Sequence, residues 1–217
     1  AHAQYNLGVM YREGKGVPQN NKTAVKWYRL AAEQGYAPPQ HNLGFMYQKG
    51  KGVLKDFETA MKWYTLAAKQ GNAFAQSNLG FMYSKGQGVP QNYKTAVKWY
   101  TLAAKQGNAG AQSNLGSMYL KGKGVLKDFE TAVKWYRLAA ERGYAGAQGN
   151  LGAMYASGTG VLKDYVYAHM WGIIAATNGN KLGARLRDDF EKKMTPADIS
   201  TAQDLARECV RKKYKGC

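Results

Sequence analysis

Every tryptophan of the chain, Trp27, Trp63, Trp99, Trp135 and Trp171, stands 36 residues after the one before it. A fixed period of this length makes the chain an array of repeated supersecondary units, each able to bury its apolar face only against its neighbours. Leu7, Leu43, Leu79, Leu115 and Leu151 keep the same step, as do Tyr11, Tyr47, Tyr83, Tyr119 and Tyr155 and a glycine pair running from Gly14/Gly16 to Gly158/Gly160. Five repeats follow, at 1–36, 37–72, 73–108, 109–144 and 145–180, with 181–217 as a tail. The string KGKGVLKDFETA occurs at 49–60 and again at 121–132, and VPQN at 17–20 and 89–92, the mark of a duplicated two-repeat block.

Numbered by column from 1 to 36, each repeat reads as two helices joined by a glycine turn. Helix A takes roughly columns 1 to 12, where Leu7, Gly8, Met10 and Tyr11 recur at helical spacing and the constant glycine is expected to let a neighbouring backbone approach. Column 20 is Asn20, Asp56, Asn92, Asp128 and Asp164, an N-cap type in every repeat, so helix B starts there. Its apolar face passes through Ala24, Trp27, Tyr28 and Ala31, and Gly35, Gly71, Gly107, Gly143 and Gly179 suit a left-handed stop. In the tail, Leu182, Leu186, Phe190 and Met194 share one helical face. Thr195, Pro196 and Asp198 then read as the cap and first turn of a second helix whose buried side carries Ile199, Ala202, Leu205, Ala206 and Cys209.

A 45% hydrophobic composition excludes a disordered chain, and the most apolar stretch, around Trp171 to Ala176, is far below the about 20 residues of a membrane-spanning helix. Thirty-one Lys and Arg against 14 Asp and Glu give a net charge of +17, which favours acidic partners or anionic surfaces and says nothing of fold. Lys26, Lys62, Lys98 and Lys134 lie opposite the apolar face of helix B, with Glu58/Lys62 and Glu130/Lys134 at i, i+4 spacing. The chain opens at Ala1 with no signal-peptide pattern, as expected of a mature form or an excised segment.

The motif A-x-A-Q-x-N-L-G-x-M-Y-x-x-G-x-G-V, seen as AFAQSNLGFMYSKGQGV at 73–89, is followed at 96–107 by A-x-K-W-Y-x-x-A-A-x-x-G, and together they resemble the Sel-one-like repeat family, a branch of the tetratricopeptide group. The resemblance covers all five repeats. It implies an all-α fold: a right-handed α-solenoid of five 36-residue helical hairpins, with helix A lining a concave groove, closed here by a C-terminal capping helix pair. It also implies a binding scaffold of the bacterial envelope or of signalling and host-interaction pathways. Repeat five departs from the pattern: Gly172 replaces the Tyr of column 28 (Tyr28, Tyr64, Tyr100, Tyr136), as if a cap packed there. No such cap precedes repeat one, so its outer face is expected to meet further repeats or another chain.

Cys209 and Cys217 are the two cysteines, eight residues apart, and a turn after the last helix can bring them together. Family members rich in cysteine carry disulfide pairs with the same eight-residue step, although those bridge successive repeats and this pair lies in the tail. A disulfide and a pair of free thiols are the two readings; the disulfide implies a periplasmic or secreted protein.

Catalytic chemistry finds no constellation. The glycine turns lack the preceding strand and the GK[ST] ending of a phosphate loop, and no G-x-S-x-G or Ser-x-x-Lys motif is present. His2, His41 and His169 fall in different columns, and no Cys/His spacing suits a metal, so no catalytic residue, metal or cofactor is expected. The informative positions are those that vary on one face. Columns 2, 5, 9 and 12 are spaced three, four and three apart and make one stripe of helix A, the groove by resemblance. Its first three repeats carry bulky and polar residues, giving the candidate partner-binding set Tyr5, Val9, Arg12, His41, Phe45, Gln48, Phe74, Ser77, Phe81 and Ser84, with Lys49 and Lys85 at the rim. Phe45 and Phe81, in adjacent repeats, are expected to form an aromatic rail. The last two repeats carry small residues there, leaving room for a partner's bulky group or for the tail helices. The constant Asn6 and Gln4 columns are expected to hydrogen-bond between repeats rather than hold a peptide.

The resulting expectation is a non-enzymatic scaffold that binds a peptide or protein partner, acidic by charge complementarity, in the groove. The alternative is a polyanion binder, of nucleic acid or envelope polysaccharide, acting through the basic surface. A reader of one RNA base per repeat is disfavoured because glycine and phenylalanine occupy the columns that would have to specify bases.

Overall fold

In the computed structural model, which describes residues 1–217, the chain is all helical. The elements are α1 (His2–Glu13), α2 (Asn21–Glu33), α3 (Ala37–Lys49), α4 (Phe57–Lys69), α5 (Ala73–Lys85), α6 (Tyr93–Lys105), α7 (Ala109–Lys121), α8 (Phe129–Ala140), α9 (Ala145–Ser157), α10 (Tyr165–Thr177), α11 (Lys181–Glu191) and α12 (Pro196–Arg211). The chain divides into two compact bodies, Ala1–Gln106 with α1 to α6 and Gly107–Cys217 with α7 to α12. In each body the two helices of a repeat pack as a hairpin, and helix B of one repeat packs on helix A of the next.

Local chemistry sets the boundaries. The column 20 residue caps helix B in all five repeats: a side-chain oxygen of Asn20, Asp56, Asn92, Asp128 or Asp164 accepts a hydrogen bond from the backbone N–H three residues on, at 2.9 to 3.0 Å. Asn72 and Asn108 cap α5 and α7 in the same way, a role the column comparison did not assign. In all five repeats helix A ends at column 13, one residue later than expected, and in the second to the fourth that residue is Lys49, Lys85 or Lys121, where the negative end of the helix dipole favours a cation. The second turn glycine abuts the preceding repeat: a Cβ on Gly52 would lie 2.3 Å from the Asn21 carbonyl oxygen, so the connector is also a packing surface.

The core runs through the tyrosine column rather than the tryptophan column. Tyr28, Tyr64, Tyr100 and Tyr136 are fully buried, while Trp27, Trp63, Trp99 and Trp135 are half-buried. The constant glycine of helix A receives this ring. A Cβ on Gly8, Gly44, Gly80 or Gly116 would stand 2.5 to 3.0 Å from Cδ1 of Tyr28, Tyr64, Tyr100 or Tyr136, so the expected approach of a neighbouring backbone is in fact that of the partner helix's ring.

Repeat five solves the same problem with the tail. Gly172 faces α11 so closely that a Cβ there would meet the Arg187 backbone nitrogen at 2.9 Å, and Leu186 takes the tyrosine's place above Gly152. Trp171, alone among the tryptophans, is fully buried. Both α11 and α12 pack on α10. The buried side of α11 is Gly183 and Phe190; Leu182, expected on that face, is 39% exposed, because Gly183 rather than Leu182 meets Ala175. Thr195 caps α12 and donates to Asp198, and Ala202, Ala206 and Cys209 are buried beneath it. Sγ of Cys209 is bonded to Sγ of Cys217, with the Cα atoms 5.5 Å apart, and Tyr214 in the loop between them donates to the Asn178 side chain. No helix is long and apolar enough to cross a membrane.

Candidate functional site

Hydrogen bonds sort the constant polar columns first. Gln34, Gln70 and Gln106 donate to Gln4, Gln40 and Gln76 of the same repeats at 2.6 to 2.8 Å. Gln40 and Gln76 in turn donate to the Ala32 and Ala68 carbonyls of the preceding repeats at 3.1 and 3.2 Å, and Gln148 does likewise to Ala140. The glutamine column is therefore a ladder between repeats. In the asparagine column, Asn78 bridges to Nε2 of His41 in the preceding repeat at 3.2 Å, and Asn42 is buried.

The variable stripe of helix A divides by depth. Gln48 is a correction to the expected surface set: it is buried and accepts a hydrogen bond from the Tyr64 hydroxyl at 2.9 Å, because column 12 lies within reach of the buried phenol tip. Tyr5, Val9 and Phe45 are half-buried and pack on the core made by Ala24, Val25, Tyr28, Leu43 and Met46. Phe45 also touches the next core cluster, around Tyr64 and Leu79. His41 lies between Tyr64 and Phe74, with ring centroids 5.7 and 6.0 Å away, and burial pushes its imidazole below the ordinary histidine range. Ser77 and Ser84 are half-buried, and the Ser84 hydroxyl donates to the Phe81 carbonyl at 2.8 Å.

The outermost members are Phe74, 65% exposed, and Phe81, 37% exposed. Instead of an aromatic rail, Phe45 and Phe81 each have a cation above the ring: Lys51 Nζ lies 5.8 Å from the Phe45 centroid and Lys85 Nζ 6.0 Å from that of Phe81. At the first repeat, Tyr5 meets Tyr36 edge to face at 5.6 Å, and His2 lies 4.5 Å from the same ring. Glu13 is held by Lys15 and Arg12, whose hydrogen bonds keep its carboxyl below the usual range, so this face presents cations and rings without a free carboxylate. Lys49, which ends α3, is exposed.

In the second body the small residues of the stripe are partly explained by the tail. A Cβ on Gly149 would lie 2.5 Å from Oδ1 of Asn180, the cap of α11, so the tail fills this end in repeat five, whereas Gly110 faces nothing beyond its own Asn108. The Glu58/Lys62 and Glu130/Lys134 ion pairs expected on helix B do not form; the lysines instead help hold the Asp56 and Asp128 carboxyls below their usual range, after the larger effect of the Thr59 and Thr131 hydrogen bonds. No cluster of His, Cys, Asp or Glu has the geometry to hold a metal ion.

The Sel1 repeat model matches residues 1–36, 40–72, 73–108, 109–144 and 145–180. A Sel1 repeat protein from Oxalobacter formigenes is 36% identical, superposes with a TM-score of 0.82, and is matched over 96% of this chain and 87% of its own. The protective antigen c5321 of uropathogenic Escherichia coli, described as displaying an SLR fold, is 30% identical over 98% of this chain and 62% of its own, at a TM-score of 0.55. Immunity protein Pa5087 of Pseudomonas aeruginosa shares the fold at 23% identity, with a TM-score of 0.58 over 98% of this chain and 80% of its own. None of the curated proteins matches. With five matches that take in residues 1–180 except 37–39, the chain belongs to the Sel1 repeat family, whose repeats typically mediate protein–protein interaction.

Proposed function

We propose that this protein is a non-enzymatic scaffold that holds an extended acidic segment of a partner protein along the helix A face of its first body, in an oxidising compartment, periplasmic or secreted. The observation that carries the reading is the combination of exposed rings at Phe74 and Phe81 with Lys85 over the second of them and an exposed Lys49 at the same column of the preceding repeat, while Glu13 is already neutralised by Arg12 and Lys15. Rings of this kind act as anchors when a partner covers them, and the lysines steer a negative segment toward them. The Cys209–Cys217 bond supports the oxidising compartment.

The test is selection of displayed peptides on the intact chain. Selected peptides should carry Asp or Glu around an apolar anchor, bind wild type, and lose at least about tenfold in affinity with Phe74→Ala/Phe81→Ala. Salt separates the alternative: a polyanion engaging six or more charges should lose about 10³ or more in affinity between roughly 50 and 200 mM salt, and a seated peptide far less. Tight, sequence-indifferent binding of nucleic acid at physiological salt would overturn the reading.

A further inference from the structure

Three turns place a leucine almost wholly in water. Leu54, Leu126 and Leu162, in the V-L-K-D turns at 53–56, 125–128 and 161–164, are 91%, 91% and 90% exposed, where the other two repeats have Pro18 and Pro90. A side chain so exposed contributes almost nothing to the core. In each turn the following lysine lies over the first residue of helix B: Lys55 Nζ is 4.6 Å from the Phe57 centroid, Lys127 4.9 Å from Phe129 and Lys163 4.8 Å from Tyr165.

In the second body two of these turns adjoin. Gly160 sits so close to the start of α8 that a Cβ there would be 2.5 Å from the Phe129 carbonyl oxygen, which brings the Leu162 turn against the element that follows Leu126. Leu126, Phe129, Leu162 and Tyr165 thus form one exposed apolar edge, the two rings 39% and 41% exposed. Phe190 of α11, itself buried, backs this edge, its centroid 5.0 Å from that of Tyr165 and 5.9 Å from Lys193 Nζ. The Asp128 and Asp164 carboxylates of these turns are engaged as caps of α8 and α10, while Glu130, and Asp189 and Glu191 on either side of Phe190, are exposed and form no ion pair.

We propose that this edge of the second body docks on an anionic lipid surface. Leucines that project from turn tips need no complementary cavity in a fluid interface, whereas a protein partner would have to supply a pocket for each. Exposed aromatic rings sit at headgroup depth, and lysines on long apolar stems reach lipid phosphates while leaving their stems on the rings. The net charge of +17 favours such a surface at long range, and the leucines supply the insertion that charge alone does not.

The experiment is co-sedimentation of the intact chain with vesicles of phosphatidylcholine and phosphatidylglycerol in equal parts, against vesicles of phosphatidylcholine alone. The chain should associate with the mixed vesicles and not the neutral ones. Leu126→Ser/Leu162→Ser should lower the partition coefficient at least about tenfold with an unchanged melting temperature, whereas Phe81→Ala should leave it unaltered. Failure to associate with the mixed vesicles, equal association with neutral ones, or association undiminished by the double substitution would each overturn the proposal. The last outcome would mean adsorption by charge alone. If the two leucines are instead needed for binding a protein while vesicles are ignored, the edge is a protein interface.

Discussion

Gly80 lies beneath the ring of Tyr100 so closely that a Cβ on the glycine would stand 2.6 Å from Cδ1. The pair has counterparts at Gly8/Tyr28, Gly44/Tyr64 and Gly116/Tyr136, so one contact, made once in each of the first four hairpins, sets how near helix A and helix B can come. Because the ring is fully enclosed, it has no free direction in which to yield.

Gly80→Ala should therefore destabilise the first body by about 1 to 3 kcal/mol, the usual cost of overpacking a close-packed core. Urea unfolding of the intact chain measures it. Gly110→Ala is the control: its nearest foreign atom is Oδ1 of Asn108 at 3.4 Å, and the change should be neutral or slightly stabilising. Equal effects at both positions would refute the packing account.

Repeat five gives the converse experiment. Gly172→Tyr restores the residue common to the other four repeats, yet α11 already occupies that space, with the Arg187 backbone nitrogen 2.9 Å from where the Cβ would stand. The substitution should detach α11, seen as loss of hydrogen-exchange protection over 181–191 while α7 and α8 keep theirs.

The helices, the column 20 caps and the glycine stops were legible because each rests on contacts within a few residues of itself. Depth was not. Trp27 and Tyr28 are neighbours on one apolar face, and periodicity cannot say that the phenol is enclosed while the indole stays half in water. Gln48 failed for the same reason: the stripe spacing put it on the right helical face, but the Tyr64 hydroxyl, sixteen residues away, decides that it is buried. The departure at Gly172 was visible in the columns, and its occupant needed the path of α11. The exposed leucines had a signal too, the alternation of V-L-K-D with V-P-Q-N turns, which column counting recorded only as evidence of duplication.

The buried phenols predict an alkaline limit. Burial pushes Tyr28 up to about 12 and raises Tyr64 and Tyr136 as well, from an ordinary value of 10.0. A folded-state pKa above the unfolded one means that the neutral ring's contribution is complete below pH 10 and is lost as pH rises through the folded value. The melting temperature should fall between about pH 10 and 12, and less steeply in Tyr28→Phe, which removes one ionisable ring. A limb of unchanged slope in that variant would show that ionisation of Tyr28 does not drive the loss.

The tail should respond to reductant before the repeats do. Cys209 is buried with Ala202 and Ala206, and its bond to Cys217 closes the loop that holds Tyr214 on Asn178. Unreduced protein should have a mass lower by a pair of hydrogens, and Cys217→Ser should cost the second body about 2 to 3 kcal/mol, the loop-closure value for a ring this short. Free thiols in protein purified in air would refute the bond and with it the support for an oxidising compartment.

Phe45 and Phe81 occupy the same column of adjacent repeats, and the structure separates their roles. Phe45 packs against two core clusters and is half-buried, whereas Phe81 is 37% exposed with Lys85 Nζ 6.0 Å from its ring centroid. Phe45→Ala should leave a cavity and cost about 3 kcal/mol of stability, lowering the melting temperature by several degrees. Phe81→Ala, at the more exposed ring, should lower the melting temperature by less than Phe45→Ala does, but weaken a selected acidic peptide at least about tenfold. Lys85→Gln, beside the same ring, should mainly slow association and flatten its salt dependence. Calorimetry and binding kinetics on the three variants read these effects independently. If Phe81→Ala unfolds the first body while the remaining folded fraction binds normally, the ring is core and the helix A face is not the site.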